Sequence, residues 1–219
     1  MKWEDKLTLL LCIISDLKEI HSKNIIHRDL HSGNILQDVL HCAYISDLGL
    51  SISVDIELKM ESGRVYGILP YIDPEVLNGK AYTTASDIYS FGIIMWEILH
   101  GEPVFCDKKL DQQLQIQICF SDLRPKIEEN MSGRYLSLMK ECWGKKQEKR
   151  PTAVEIEEIL TKWQNDEKVL LELSELENKL KNTSRQKYSE VLYESKFHLC
   201  THLCTSNLMF NIIDGDEIL

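Results

Sequence analysis

The residues best suited to chemistry crowd into two short stretches. His27-Arg28-Asp29-Leu30-His31-Ser32-Gly33-Asn34 gathers a carboxylate, a guanidinium, two imidazoles and a carboxamide. Asp47-Leu48-Gly49 adds a second carboxylate thirteen positions after Asn34. A carboxylate can orient a hydroxyl and take its proton. Carboxylate and carboxamide oxygens are also the hard donors that Mg²⁺ prefers. A third group, His198, Cys200, His202 and Cys204, alternates along the chain. On a strand all four would face one side, as metal ligands can. Zinc sites usually join two ligand pairs across a turn, and this spacing does not, so a partly buried strand or helix is the preferred reading.

The composition narrows the setting. The chain has 219 residues, enough for one domain and a tail, and a 43% hydrophobic fraction that can fill a core. A formal net charge of -10 repels phosphate backbones and anionic lipid, so neither nucleic acid nor a membrane surface is an expected partner. Seven scattered cysteines without a secretory leader point to reduced thiols and a cytoplasmic setting. The apolar run Leu7 to Ile14 is too short to span a bilayer.

Periodicity supplies the elements that must position these residues. Leu7, Leu10, Leu11, Ile14, Leu17 and Ile20 make one apolar helix face over Trp3 to Ile20. Ile35-Leu36 and Ala43-Tyr44-Ile45 read as the strands of a hairpin. Residues 51 to 66 are polar and aperiodic, a loop pattern. Ser86 to Leu99 reads as a central buried helix, with Ser86 as N-cap and Gly101 as the stop. Further helices are expected at Leu110–Cys119, Tyr135–Cys142 and Val154–Trp163. From 164 to 181, Leu170, Leu173, Leu176 and Leu180 form a stripe. It is too short for a coiled coil and reads as a helix docked on the domain, with a protein partner or dimer as the sharper alternative. Residues 182 to 219 show no clear period. The domain is therefore drawn at 1–163 and a helical or irregular tail at 164–219.

Four motifs in order carry a resemblance to the eukaryotic protein-kinase family, in particular its tyrosine-kinase-like branch, over about residues 3 to 163. His27 to Asn34 resembles H-R-D-L-x-x-x-N. Asp47-Leu48-Gly49 resembles D-F-G. Gly67-Ile68-Leu69-Pro70-Tyr71-Ile72-Asp73-Pro74-Glu75 resembles the loop ending in A-P-E. Ser86-Asp87-Ile88-Tyr89-Ser90-Phe91-Gly92 resembles D-x-x-S-F-G. The resemblance implies a mainly α fold, the kinase C-terminal lobe, with a small β-hairpin at the cleft. It implies ATP and Mg²⁺ as cofactors and protein hydroxyls as substrates, with Ser/Thr favoured over Tyr.

The same resemblance assigns roles. Asp29 would be the base, flanked by His27 and Arg28, and Asn34 and Asp47 would hold the metal. Ile35 and Leu36 would lie under adenine, and Leu48 would pack against His27, followed by Gly49. Glu75 would pair with Arg150 in a buried ion pair, and Asp87 would accept backbone N–H groups of the catalytic loop. Ser51, Ser53, Ser62 and Tyr66 are candidate phosphorylation sites, with Arg28 as the phosphate's clamp.

Departures from the pattern matter as much. His31 stands where a Lys is usual and Ile68 where a Thr is usual. Both belong to one network in the family, so their joint loss looks coherent. His31 is expected to act as a weaker cation near phosphate. Asp73 stands where Ala is usual, with no explanation in the sequence. No G-x-G-x-x-G and no V-A-I-K precedes the first helix, so the nucleotide-gripping first lobe is read as missing. Two functions follow. One is an ATP-dependent protein kinase represented by an incomplete catalytic domain. The other is a catalytically deficient scaffold that binds proteins.

Overall fold

The computed structural model describes residues 1–38, 42–57, 64–127, 133–181 and 196–199. The described chain is mainly helical. α1 (Trp3–Ser22) runs two residues beyond its apolar stripe and buries Leu7, Leu10, Ile14 and Leu17 completely. It packs along α7 (Ala153–Gln164), whose N-terminus carries a Thr152/Glu155 capping box. α4 (Thr84–His100) is apolar on most faces and stands at the centre. Gly101 closes it in the left-handed conformation at φ 70°, which a residue without Cβ adopts freely. Its N-cap is Thr83 rather than Ser86. The Ser86 side chain instead accepts the Thr83 N–H at 3.1 Å, completing the reciprocal cap from inside the first turn.

α5 (Gln112–Phe120) and α6 (Arg134–Cys142) complete the lower layer. α8 (Glu167–Lys181) follows a break at Asn165-Asp166. Val169, Leu173 and Leu176 of α8 are buried, and Lys6 of α1 meets Glu177 at 3.6 Å. The leucine stripe is thus spent on the chain's own domain. This is the arrangement of a helix docked on the domain, and a partner helix using that face would have to displace this packing.

Three short antiparallel ribbons frame the site. β1 (Ile25–Ile26) pairs with β4 (Ile52–Ser53), β2 (Ile35–Gln37) with β3 (Ala43–Ile45), and β5 (Arg64–Gly67) with β6 (Lys196–Leu199). Part of the expected 51–66 loop is ordered, because β4 and the four-residue α2 (Val54–Glu57) have partners. α3 (Pro74–Leu77) starts with Pro at its first position, a place where the missing N–H costs nothing.

Candidate active site

The loop from His27 to Asn34 is held from below by Asp87. Its Oδ2 accepts the His27 N–H at 2.9 Å, and its Oδ1 accepts the Arg28 N–H at 3.0 Å. His21 Nε2 lies 2.9 Å from the same carboxylate. These bonds hold Arg28 at φ 74°, a left-handed conformation that a non-glycine residue keeps only when its surroundings require it. The Asp87 side chain is only 2% exposed.

The loop's own side chains finish the arrangement. His27 Nδ1 accepts the Asp29 N–H at 3.3 Å, so its Nε2 carries the proton and donates to the Ser46 carbonyl at 3.2 Å. Asn34 Nδ2 donates to the Asp29 carbonyl at 2.9 Å, which turns the nitrogen side of the carboxamide to the loop and leaves its oxygen as the acceptor. Ser46 returns two bonds, from N and Oγ, to the Asn34 carbonyl, both at 2.9 Å. That tie fixes Asn34 to the residue just before Asp47. Asp47 itself is left-handed at φ 61°, with its Oδ1 accepting the Gly49 N–H at 3.2 Å. These bonds tie the loop that carries Asp29 and Asn34 to the turn that carries Asp47. Their oxygens are the hard donors that Mg²⁺ takes, while among the described residues no group of three or more His, Cys, Asp or Glu side chains is gathered to hold a metal.

Several expectations need correction. Leu48 does not pack into the core; it is 55% exposed, because the turn after Asp47 points it outward. By contrast, the exposure of Leu36 and the partial burial of Ile35 do not contradict their expected place under adenine. His31 is not a cation here. Burial pushes its pKa down, against the opposing pull of Asp29, and its Nδ1 accepts the Gly33 N–H at 3.0 Å. A ring nitrogen that accepts carries no proton, so the neutral form is the one stabilised. The ring rests against Tyr71, centroids 5.9 Å apart, and Ile68 beside it is buried.

Arg28 is also engaged. Its guanidinium lies 3.7 Å from the buried carboxylate of Glu57 and over the ring of Tyr82. A carboxylate of α2 thus stands where the phosphate clamp was expected, and any phosphate must displace it. Ser51 and Ser53 are half-buried, Tyr66 lies in β5, and Ser62 lies outside the described residues.

The buried ion pair exists with a different acid. Arg150 binds Asp73, not Glu75, through Nη1 to Oδ2 and Nη2 to Oδ1, with side chains 1% and 0% exposed. Gln147 Nε2 adds a bond to Asp73 at 2.7 Å. Arg150 is completed by the carbonyls of Gly144 and Ala85, both at 2.9 Å. Glu75 turns to the surface and meets Lys80 at 2.8 Å. Asp73 wins because it is also the N-cap of α3, accepting the Glu75 N–H at 2.9 Å, and so points inward by the geometry of the cap. An Asp immediately before Pro is a helix-start signal, and that signal was available in the sequence.

Tyr71, Glu97 and Ser90 also reach the cleft; Tyr71 and Ser90 lie inside the kinase-like motifs, but the sequence reading gave them no role. Tyr71 donates to Glu97 Oε1 at 2.6 Å and contacts Ser32 Oγ at 3.0 Å. Burial raises the Glu97 pKa despite that bond, and its Oε2 is buried without a hydrogen-bond partner. Ser90 Oγ donates to the Tyr71 carbonyl at 2.7 Å and fixes the loop on α4. Of His198, Cys200, His202 and Cys204, only His198 lies among the described residues; its Nε2 is 3.1 Å from the Gly67 carbonyl.

Comparison with known proteins identifies the family. Residues 1–160 match the family model described as protein tyrosine and serine/threonine kinase. The chain belongs to the protein kinase family. It is 35% identical over 153 residues to a probable serine/threonine-protein kinase of Dictyostelium discoideum, covering 70% of this chain and 9% of that protein. It is 30% identical over 162 residues to the serine/threonine-protein kinase STY17 of Arabidopsis thaliana, covering 73% of this chain and 27% of that protein. A protein kinase and PP2C-like domain-containing protein of the same plant is 30% identical over 178 residues, 67% of this chain and 27% of that protein. The chain therefore spans about a quarter or less of these relatives. Members of the family use ATP and Mg²⁺ to phosphorylate proteins. No helix among the described residues is long and apolar enough to cross a membrane.

Proposed function

We propose that this chain is the base- and metal-bearing C-terminal lobe, roughly residues 1–163, of a tyrosine-kinase-like protein kinase that phosphorylates Ser and Thr hydroxyls. The observation that carries the reading is the anchored constellation of Asp29, Asn34 and Asp47. Asp29 takes the proton of the attacking hydroxyl. Asn34 and Asp47 hold Mg²⁺, which supplies charge neutralisation on the phosphates of ATP. Ile35 and Leu36 offer an apolar edge to the adenine. The 219 residues include no G-x-G-x-x-G and no V-A-I-K, the motifs by which the family grips the nucleotide from the opposite side. Ser51, Ser53, Ser62 and Tyr66 remain the candidate modification sites.

A second reading, a protein-binding scaffold, draws on the neutral, buried His31 and on Arg28 already engaged by Glu57. The metal site separates the two. Millimolar Mn²⁺ should broaden the amide signals of Asn34 and Asp47 to Gly49 selectively, and Asp47→Asn should remove that effect. Broadening spread evenly over the acidic surface in both proteins would remove the metal role.

A further inference from the structure

β2 starts directly after Asn34, β3 ends at Ile45 just ahead of Asp47, and β3 lies along α1. Asp16 of α1 fixes that contact, its Oδ2 accepting the Ile45 N–H at 2.9 Å. One helical turn earlier, α1 carries Cys12 on the same face. Cys42 stands just before β3, and its backbone is held on both sides. Its N–H donates to Asp38 Oδ1 at 3.0 Å, and its carbonyl accepts the Asp38 N–H at 2.9 Å. The two cysteines meet across the contact of α1 with the hairpin, and their thiols are hydrogen-bonded to each other. Both are free and half-buried, so they touch one another and stay within reach of solvent. Cys106 and Cys142, by contrast, are buried.

We propose that Cys12 and Cys42 are a reversible dithiol–disulfide pair, oxidised by low-molecular-weight disulfides, that staples the β2–β3 hairpin to α1. Neither cysteine belongs to the kinase motifs, and the proposal stands apart from the kinase reading. Closing the link takes two sulfurs from hydrogen-bonding contact to a bond of about 2.0 Å. The link encloses a loop of about thirty residues that contains all of His27 to Asn34. It adds a covalent strut beside the hydrogen bond from Ile45 to Asp16. The hairpin that joins Asn34 to Asp47 is then fixed to α1 at both ends of β3.

Asp38 sets the order of events. Its carboxylate, and burial after it, raises the Cys42 thiol above its ordinary pKa and keeps it protonated at neutral pH. The first attack falls to Cys12, whose thiolate displaces one thiol from the small disulfide and forms a mixed disulfide. Cys42 then gives up its proton and displaces the second thiol from the Cys12 sulfur. Two protein thiols become one disulfide while the oxidant becomes two thiols, so two electrons and two protons pass to it. Reduction runs the other way. A thiol of raised pKa is a poor leaving group, so a reductant that attacks the Cys12 sulfur expels Cys42 slowly. Asp38 therefore makes the link persistent once it has formed.

The test holds the full chain at millimolar glutathione with a rising fraction of glutathione disulfide. After alkylation, trypsin releases Cys12 on the peptide 7–18 and Cys42 on the peptide 29–59, with one cysteine in each. The two peptides should be recovered joined, in about tenfold excess over glutathione adducts of either, because the thiols sit at high effective concentration. Amide exchange at residues 43–45 should slow about tenfold in the linked protein. Dithiothreitol should reverse both changes. Cys12→Ser and Cys42→Ser should each take up glutathione at the remaining cysteine and show no slowing. Glutathione adducts on both cysteines without the joined peptides overturn the proposal. So do joined peptides that form only in urea or only in disulfide-linked dimers, and joining of either cysteine to a different one. Exchange at 43–45 that the link leaves unchanged overturns the stapling. None of these readouts involves phosphoryl transfer, so an inert kinase would leave the result standing, and an active one would not rescue its failure.

Discussion

Replacing Asp73 and Glu75 together by alanine lowers folding stability by about 3–5 kcal/mol, more than the two single replacements summed. The guanidinium of Arg150 is 1% exposed and sits over the ring of Tyr89 at 5.3 Å, so a charge left there without an anion pays nearly its full desolvation cost. Two carbonyls remain to it, from Gly144 and Ala85, but neither carries a charge. Glu75→Ala alone removes only a surface pair with Lys80, whose side chain is 67% exposed, and should leave stability nearly unchanged. Asp73→Ala alone falls between, because Glu75 is two residues away and can turn inward to take over the cation. The coupling between the two acids is the signature. Urea unfolding of the four proteins measures it through the midpoints at constant m-value. A Glu75→Ala loss equal to that of the double variant would return the buried pair to Glu75.

Asp87→Ala should cost about 2–6 kcal/mol, since two backbone N–H groups are stranded at once and each buried orphan costs about 1–3 kcal/mol. His27 is fully buried and Arg28 half-buried, so water cannot replace the lost acceptor at the first of them. The left-handed Arg28 then loses what holds it, and the loop carrying Asp29 relaxes toward an ordinary conformation. Asp87→Asn keeps one acceptor oxygen and should lose about half as much. Amide exchange at His27 and Arg28 should rise in step with the loss of stability. Exchange there that matches wild type in a folded Asp87→Ala protein would show that the loop stands without this anchor.

Much of the scaffold was legible because it repeats. The apolar spacing of α1 and the unbroken apolar run of α4 each specify a buried helix, and the β2–β3 hairpin follows from two short runs with polar residues between. The ends were less legible. Thr83 and Ser86 can both cap α4, and only the reciprocal bond between them decides which stands first. α2, with four residues, has no period to read. The site's anchors, Asp87 and Asn34, were legible from motif order, whereas their neighbours were decided by three-dimensional competition. Asp73 and Glu75 are two residues apart, and the capping bond of Asp73, signalled by Pro74 after it, turned the first toward Arg150. Glu57 reached Arg28 through a helix the sequence read as loop. The pairing of β5 with β6 joins residues 131 apart at His198 and Gly67, beyond any local pattern.

The central claim, a phosphoryl-transfer lobe with Asp29 as base, is tested most directly by label transfer. Residues 1–219 are joined behind the first lobe of one of the matched kinases, and binding of Mg-ATP by the fusion is established first. Transfer from γ-labelled ATP to a peptide library containing Ser, Thr and Tyr is then measured. The prediction is Mg²⁺-dependent incorporation on Ser and Thr, reduced about 10²–10⁴-fold by Asp29→Asn. A fusion that binds Mg-ATP but transfers nothing, or one in which Asp29→Asn transfers as fast as wild type, would contradict it.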